Sequence, residues 1–442
     1  MHRRFYTLVR LFSLICLLMV LAACGSSGVG TIPSGTPDHG NGTPAVIPTP
    51  SPSLPTVSTA PSTAMGRFYA FVRDNQLWVA QNGASPIEVT HFDYTNLPNV
   101  FWHQPLWSPG DHFIAFIMNA LGAGLGGGGC PGPDYGANGA LYVLNTGTRQ
   151  LTKLVVPADD GDPLANSPHN GYWQYIFWED STHLLAWYNG IAGKTDNAAG
   201  LYRYDLNSGR LSQVVALSSL GVATLFHGQQ GLPLVLSMRY SSGQLFYQVI
   251  VHPFEQQSQI VIYRHSVVHP EMPSSKVLEV GSEGWCDLPQ SGPYVRPGWD
   301  VAADGEQLVA QMIMSGSLNS GATSISVLDL NDGSTTALFV QITPQVLSHD
   351  LVLTWGPDSQ TVVATQYIMR SQNGPYSATL ANPAAMQQYT PNLDGQASWR
   401  PDSSAFVLQG IDGTDAANVY LFVTGNGQGE LLFKDVRDFV WG

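Results

Sequence analysis

Five segments of this chain repeat one pattern: an apolar run ending in Trp, a turn built from Pro, Asp, Gly or Ser, and a second apolar run. They are Trp107-Ser-Pro-Gly-Asp, Trp178-Glu-Asp-Ser, Trp299-Asp-Val-Ala-Ala-Asp-Gly, Trp355-Gly-Pro-Asp-Ser and Trp399-Arg-Pro-Asp-Ser. A unit of this size cannot bury its apolar face alone, so it must stack against its own copies. With Trp441 added, the Trp positions are separated by 71, 121, 56, 44 and 42 residues. The last two intervals match the ~40 to 50 residues of a four-stranded propeller blade. The 121-residue interval fits two blades, the unmarked one covering roughly Gly221 to Tyr263. The 71-residue interval carries two insertions, Gly-rich Leu121 to Asn138 and acidic Pro157 to Asn170.

Within the repeats four antiparallel strands are legible. Leu351-Val-Leu-Thr-Trp355 is apolar throughout, as expected of an inner strand covered on both faces by neighbouring sheets. Gly356-Pro-Asp-Ser ends it, because proline brings no amide donor and fixes the turn, and Thr361 to Tyr367 runs back. Outer hairpins are marked by Leu141-Tyr-Val-Leu before Asn145-Thr-Gly, by Leu201 to Leu206 before Asn207-Ser-Gly, by Ile325 to Leu330 before Asn331-Asp-Gly, and by Val419 to Val423 before Gly425-Asn-Gly. The two ends complement each other: Arg67 to Ala80 is an outer half blade without a Trp strand, and Val436 to Trp441 is a Trp strand with nothing after it. Pairing them closes a ring and removes an open sheet edge. The expected fold is an all-β, seven-bladed β-propeller, with six blades as the alternative if the unmarked region is an insertion.

These repeats resemble those of TolB-type propellers, in which Trp-Ser-Pro-Asp-Gly follows the inner strand. Trp107-Ser-Pro-Gly-Asp-His-Phe-Ile-Ala-Phe116 is the best match, whereas Trp178-Glu-Asp-Ser and Trp299-Asp-Val-Ala lack the proline. The resemblance covers about Arg67 to Gly442 and implies the fold. A partner does not follow from it, because fold analogy transfers no ligand and the α/β domain that precedes the propeller in TolB is replaced here by a different N-terminal region.

That region begins with Arg3, Arg4 and Arg10, an apolar stretch from Leu11 to Leu21, and small residues before a cysteine, the layout of a secretory signal over residues 1–23. Leu21-Ala22-Ala23-Cys24 resembles the bacterial lipobox, which implies cleavage before Cys24 and its acylation. Residues 24–66 are mainly Gly, Ser, Thr, Pro and Ala, a composition that buries no core and reads as a disordered tether between lipid and the propeller of 67–442. Removing the signal subtracts three cations and no acid, leaving 15 Lys plus Arg against 32 Asp plus Glu, a balance of −17. Nucleic acid is therefore not an expected partner, since phosphate binding needs clustered cations. Cys16 leaves with the signal, so Cys130 and Cys286 remain as a candidate disulfide in an oxidising compartment.

In a propeller, the loops that lead into the inner strands converge at one channel mouth. Candidate ligand-binding residues there are Trp102, His103, Tyr172, Trp173, Trp285, Asp287, Tyr294 and His349, exposed aromatics with a few polar groups around a concavity. His103, His169 and His349 invite a zinc reading, but no ligand spacing such as His-Glu-x-x-His supports it, so no metal or cofactor is expected. His265 and His269 read as solvent-exposed. Asp159-Asp-Gly-Asp162 lacks the alternation of a calcium loop. No Gly-x-Ser-x-Gly occurs, and Gly122 to Gly129 is not followed by Lys-Ser or Lys-Thr, so neither a hydrolase elbow nor a phosphate loop is indicated. The expectation is a monomeric, lipid-anchored, extracytoplasmic propeller that binds or scaffolds an envelope protein, peptide or glycan. The alternative is an enzyme, a metal-assisted hydrolase or cyclase working at the channel mouth.

Overall fold

A computed structural model of the chain describes residues 68–442, except segments 82–83, 93–99, 121–138, 156–172, 189–198, 222–223, 227–228, 232–233, 252–258, 283–297, 314–322, 339–350, 367–374, 392, 394–395 and 412–416. The signal sequence, Cys24 and the tether lie outside these residues, as do Cys130 and Cys286. Among the described residues the strands form seven four-stranded antiparallel sheets and one two-stranded hairpin, Thr224–Phe226 with Gln229–Gly231. The inner strands of blades 2 to 7 are Val100–Trp107, Trp173–Trp178, Leu234–Ser241, Trp299–Val301, Leu351–Trp355 and Ser398–Trp399, each followed outward by three further strands in chain order. Blade 1 is composite. Its inner strand is the C-terminal Arg437–Trp441, and Phe68–Arg73, Gln76–Gln81 and Ile87–Glu88 lie outward of it.

The composite blade seals the ring. Tyr69 pairs with Trp441, Ala70 with Val440 and Val72 with Arg437, and the Gly442 amide donates to the Phe68 carbonyl at 2.9 Å. Successive residues of Phe68–Arg73 alternate between the two sheet faces, so one face of this blade feeds each neighbour. Ala70, Val72 and Val440 join a cluster with blade 2, while Tyr69, Phe71, Phe439 and Trp441 join one with blade 7. A buried apolar cluster of this kind fills each of the seven interfaces between neighbouring blades. The core is thus a ring of seven slabs, with Phe71, Phe116, Trp187, Tyr247, Phe246, Phe406 and Phe422 fully buried. Each such ring contributes on the order of 1.5 to 3 kcal/mol by leaving water.

The repeated turns add polar ties between blades. In blades 6 and 7 the Pro-Asp-Ser turn puts Ser359 and Ser403 in the left-handed region, at φ 52° and 57°. From there Ser359 Oγ accepts the Asp304 amide of blade 5 at 3.3 Å, and Ser403 Oγ accepts the Asp358 amide of blade 6 at 2.9 Å. Blade 5 has Gly305 at the same place, at φ 75°, and its neighbour supplies the tie instead: Ser242 Oγ of blade 4 donates to the Asp304 carbonyl at 2.7 Å. The serine in each Pro-Asp-Ser turn therefore trades backbone strain for a bond to the preceding blade.

Two details differ from the sequence reading. The unmarked blade begins at Leu234, not near Gly221, because Thr224–Phe226 and Gln229–Gly231 pair as the separate hairpin, and Tyr240 takes the place that Trp holds elsewhere. Trp299 is also two residues out of step. Val301 pairs with Leu308 just before the Ala302 turn, as Trp355 pairs with Val362 just before the Gly356 turn, so Val301 is the structural counterpart of Trp355. A shift of two preserves the face but moves the ring one step inward along the strand.

Candidate functional site

The inner strands carry few charges, and two of them, Arg239 and Asp300, pair across blades. Asp300, next to Trp299 on the inner strand of blade 5, is 8% exposed. Its Oδ1 accepts Arg239 Nε of blade 4 at 2.8 Å, and its Oδ2 accepts the Trp355 amide of blade 6 at 2.8 Å. One carboxylate thus ties three consecutive blades at the channel wall. Innermost strands have no partner on their channel side, so an amide such as that of Trp355 needs a side-chain acceptor. Arg239 is held further by the Met238 carbonyl at 2.8 Å and by the Trp299 ring, 5.5 Å from the guanidinium carbon to the ring centre. Burial pushes the Asp300 carboxyl up from the ordinary range, and the Arg239 guanidinium and the Trp355 amide pull against it. With one oxygen engaged by blade 4 and the other by blade 6, this group acts as a clasp between blades.

A second pair joins the turn of blade 3 to its own outer half. Arg203 donates to Glu179 through Nε at 2.6 Å and through a terminal nitrogen at 2.7 Å, the bidentate geometry that gives such pairs direction as well as energy. Tyr240 of blade 4 lies beside it, its phenol pushed up by burial and then by the Glu179 carboxylate.

The sequence-predicted site residues fare unequally. Trp102 and His103 lie on the inner strand of blade 2, with backbones opposite Met118 and Ile117. Trp173 is a core residue. It is 3% exposed, packs edge-on against Tyr188 and Tyr202 at 5.3 and 5.7 Å, and donates its indole N–H to the Leu154 carbonyl at 3.3 Å. Its ring is consumed by the interface of blades 2 and 3 and presents no face to a ligand. Tyr172, Trp285, Asp287, Tyr294 and His349 fall outside the described residues, as does His169. His265, expected at the surface, is 1% exposed within the third strand of blade 4. Its Nδ1 lies 3.1 Å from Ser274 Oγ, its Nε2 is buried without a partner among the described residues, and burial pushes the imidazole down. His269 is exposed as expected, 3.5 Å from Glu271.

Sequence reasoning missed the Asp300 clasp. Its signal was present: an acid directly after Trp in a strand otherwise built of apolar residues is costly unless it is paired. The partner, 61 residues upstream, carries no local mark.

A cleft of about 510 Å³ lies at the rim between blades 1 and 2. Its lining includes aliphatic Val79, Ile87, Val89 and Leu144 and polar Gln81, Ser85 and Thr146, and Arg149 is the one charged residue among those lining it.

No family model and no curated protein matches the chain. Solved structures similar to it include TolB from Acinetobacter baumannii, at 14% identity and a TM-score of 0.37 over 85% of this chain and 66% of that one. The β-propeller domain of the Trilobed protease from Pyrococcus furiosus is 13% identical with a TM-score of 0.47 over 84% of this chain and 95% of that one. Dipeptidyl peptidase 4 of Porphyromonas gingivalis is 14% identical with a TM-score of 0.40 over 78% of this chain and 49% of that one. At these values the likenesses carry no argument about function, and the seven-bladed ring stands on its own strand pairing.

Proposed function

We propose that this protein is a lipid-anchored, extracytoplasmic β-propeller that serves as a binding or scaffold module for a protein, peptide or glycan of the cell envelope. The observation that carries the reading is Leu21-Ala22-Ala23-Cys24, set behind a cationic and apolar leader and ahead of a Pro, Ser and Thr-rich stretch. Two acyl chains hold a protein stably at a bilayer, at ~0.8 kcal/mol for each buried methylene. A tether of about 40 residues spans ~35 Å as a coil and more where its prolines extend it, which keeps a folded ring clear of the surface. A ring of seven rigid sheets then presents two faces of loops, the segments in which binding specificity normally resides. The net acidity directs the module toward partners other than nucleic acid.

The test is metabolic labelling in a bacterial host with an alkyne-bearing fatty acid. The wild-type chain takes up label and fractionates with membranes, and Cys24→Ser does neither. An unlabelled, freely soluble wild-type protein refutes the anchor. Crosslinking on intact cells, followed by identification of the captured species, then tests the scaffold: one reproducible envelope partner supports it, and no capture above the level of an unrelated lipoprotein contradicts it.

A further inference from the structure

The outer hairpins of blades 2, 3 and 5 contain the same turn. In blade 3, Asp205 Oδ1 accepts the Asn207 and Ser208 amides, and the Gly209 amide returns to the Asp205 carbonyl at 2.8 Å. In blade 5, Asp329 Oδ1 accepts the Asn331 and Asp332 amides, and Gly333 returns to the Asp329 carbonyl at 3.0 Å. In blade 2, Asn145 Oδ1 accepts the Gly147 and Thr148 amides, and the residue that returns to the Asn145 carbonyl at 2.8 Å is Arg149. The closing position is left-handed in all three, at φ 67°, 76° and 60°. Two copies fill it with glycine, which adopts that conformation without steric conflict, and the third fills it with a long cationic side chain that does not. The register also corrects a sequence-level alignment: Asn207-Ser-Gly209 corresponds to Gly147-Thr-Arg149, not to Asn145-Thr-Gly147.

Arg149 is also the residue that charges the rim cleft between blades 1 and 2. It forms no ion pair among the described residues. The same cleft is lined by the apolar side chains of Val79, Ile87 and Leu144, and Ile87 is 44% exposed, an aliphatic surface left uncovered. The volume suits one small organic ligand. Gln81, Ser85 and Thr146 add neutral polar groups to the lining, and Arg149 is the single charge among these residues. One guanidinium beside an aliphatic surface matches the single charge of a carboxylate carried on an alkyl body better than the higher charge of a phosphate.

We infer that this cleft is a binding site for aliphatic carboxylates, with Arg149 as the anion-recognising group. The site is separate from the channel-mouth loops invoked for the scaffold role, and either can hold without the other.

The purified full-length chain is titrated calorimetrically with sodium octanoate below its micellar concentration, and with octylamine hydrochloride and sodium acetate as charge-reversed and tail-less probes. Octanoate binds saturably, while octylamine and acetate do not. Arg149→Gly restores the residue of the sister turns, so it unfolds at the same temperature as wild type or higher. It also weakens octanoate binding about tenfold or more, the scale of losing a charge-assisted bidentate contact. Ile87→Ser weakens octanoate severalfold with the unfolding midpoint in place. The inference is overturned if wild type shows no saturable octanoate binding, if octylamine binds equally well, if Arg149→Gly binds octanoate like wild type, or if Arg149→Gly lowers the unfolding midpoint, which would make Arg149 a structural residue of the turn.

Discussion

Replacing Asp300 by Ala removes the carboxylate that joins blades 4, 5 and 6, and the size of the loss follows from what is left behind. The Trp355 amide, 2.8 Å from Asp300 Oδ2 at a buried position, loses its acceptor, and an unsatisfied buried donor costs about 1 to 3 kcal/mol. Arg239 loses its ion-pair partner. Breaking a buried pair from one side typically costs about 3 to 5 kcal/mol, but the Arg239 side chain is 28% exposed and keeps the Met238 carbonyl and the Trp299 ring. That places it toward the low end. The two figures describe one event from its two sides and overlap, so the expected loss is about 3 to 4 kcal/mol, a large fraction of the 5 to 15 kcal/mol typical of a folded domain. Asp300→Asn keeps an acceptor for the amide but turns a donor toward Arg239, and loses about 1 to 3 kcal/mol. Asp300→Leu combined with Arg239→Met removes both charges but still leaves the Trp355 amide without its acceptor, so it recovers the ion-pair share alone and stays about 1 to 3 kcal/mol below wild type. Urea unfolding, followed by Trp fluorescence and far-ultraviolet circular dichroism on the four proteins, measures each value. A loss below about 1 kcal/mol for Asp300→Ala, or a double variant no more stable than the alanine variant, would refute the clasp.

Three further outcomes are expected. Trp173→Ala destabilises by about 3 to 5 kcal/mol in the same assay, because a ring 3% exposed between blades 2 and 3 leaves a cavity; unchanged stability would return Trp173 to the surface. His265 is buried and its imidazole is pushed down, so protonation favours the unfolded chain. The stability it protects is complete above the ordinary imidazole value and is lost as pH falls toward the depressed one, at up to about 1.4 kcal/mol per pH unit. Unfolding midpoints measured from pH 7.5 to 5 should fall less steeply for His265→Gln, and identical slopes would contradict the assignment. Gly200→Ala, at φ 150°, would drive its new carbon into the Val215 carbonyl oxygen and the Ala216 backbone, so soluble yield should collapse, whereas a well-folded variant would disprove the close approach.

The architecture was legible because its signals are local and repeated. Trp355-Gly-Pro-Asp-Ser and Trp399-Arg-Pro-Asp-Ser encode strand, turn and return strand within a few residues, and the half blades at Phe68–Arg73 and Arg437–Trp441 announced their pairing by what each lacked. Register was less legible. Trp299 looks like its sisters, but its spacing to the turn acid Asp304 is two residues longer than that from Trp355 to Asp358, and only strand pairing shows that Val301 fills the equivalent place. Tyr240 could not be found by searching for Trp. Burial of individual aromatics was the weakest reading. Trp173 was placed at the channel mouth by its position before Trp178, yet it begins the inner strand itself, where both faces are covered. His265 follows strand-like Ile260-Val-Ile-Tyr and its spacing to His269 suits no strand site, which reads as exposure, yet period-two alternation sends residue 265 inward with Leu245. Asp300 and Arg239 meet only through the packing of blade 5 against blade 4, a relation between blades that no local pattern carries.

The central claim is a ring closed by its C-terminal strand, and cysteine pairs placed across that seam test it most directly. Ala70 and Val440 are register partners and face the same cluster, so Ala70→Cys with Val440→Cys should form a disulfide on mild oxidation and raise the unfolding midpoint. Ala70→Cys with Phe439→Cys, whose side chains point to opposite faces, should remain reduced. Failure of the first pair to crosslink, or equal crosslinking of both, would contradict the closed seven-bladed ring.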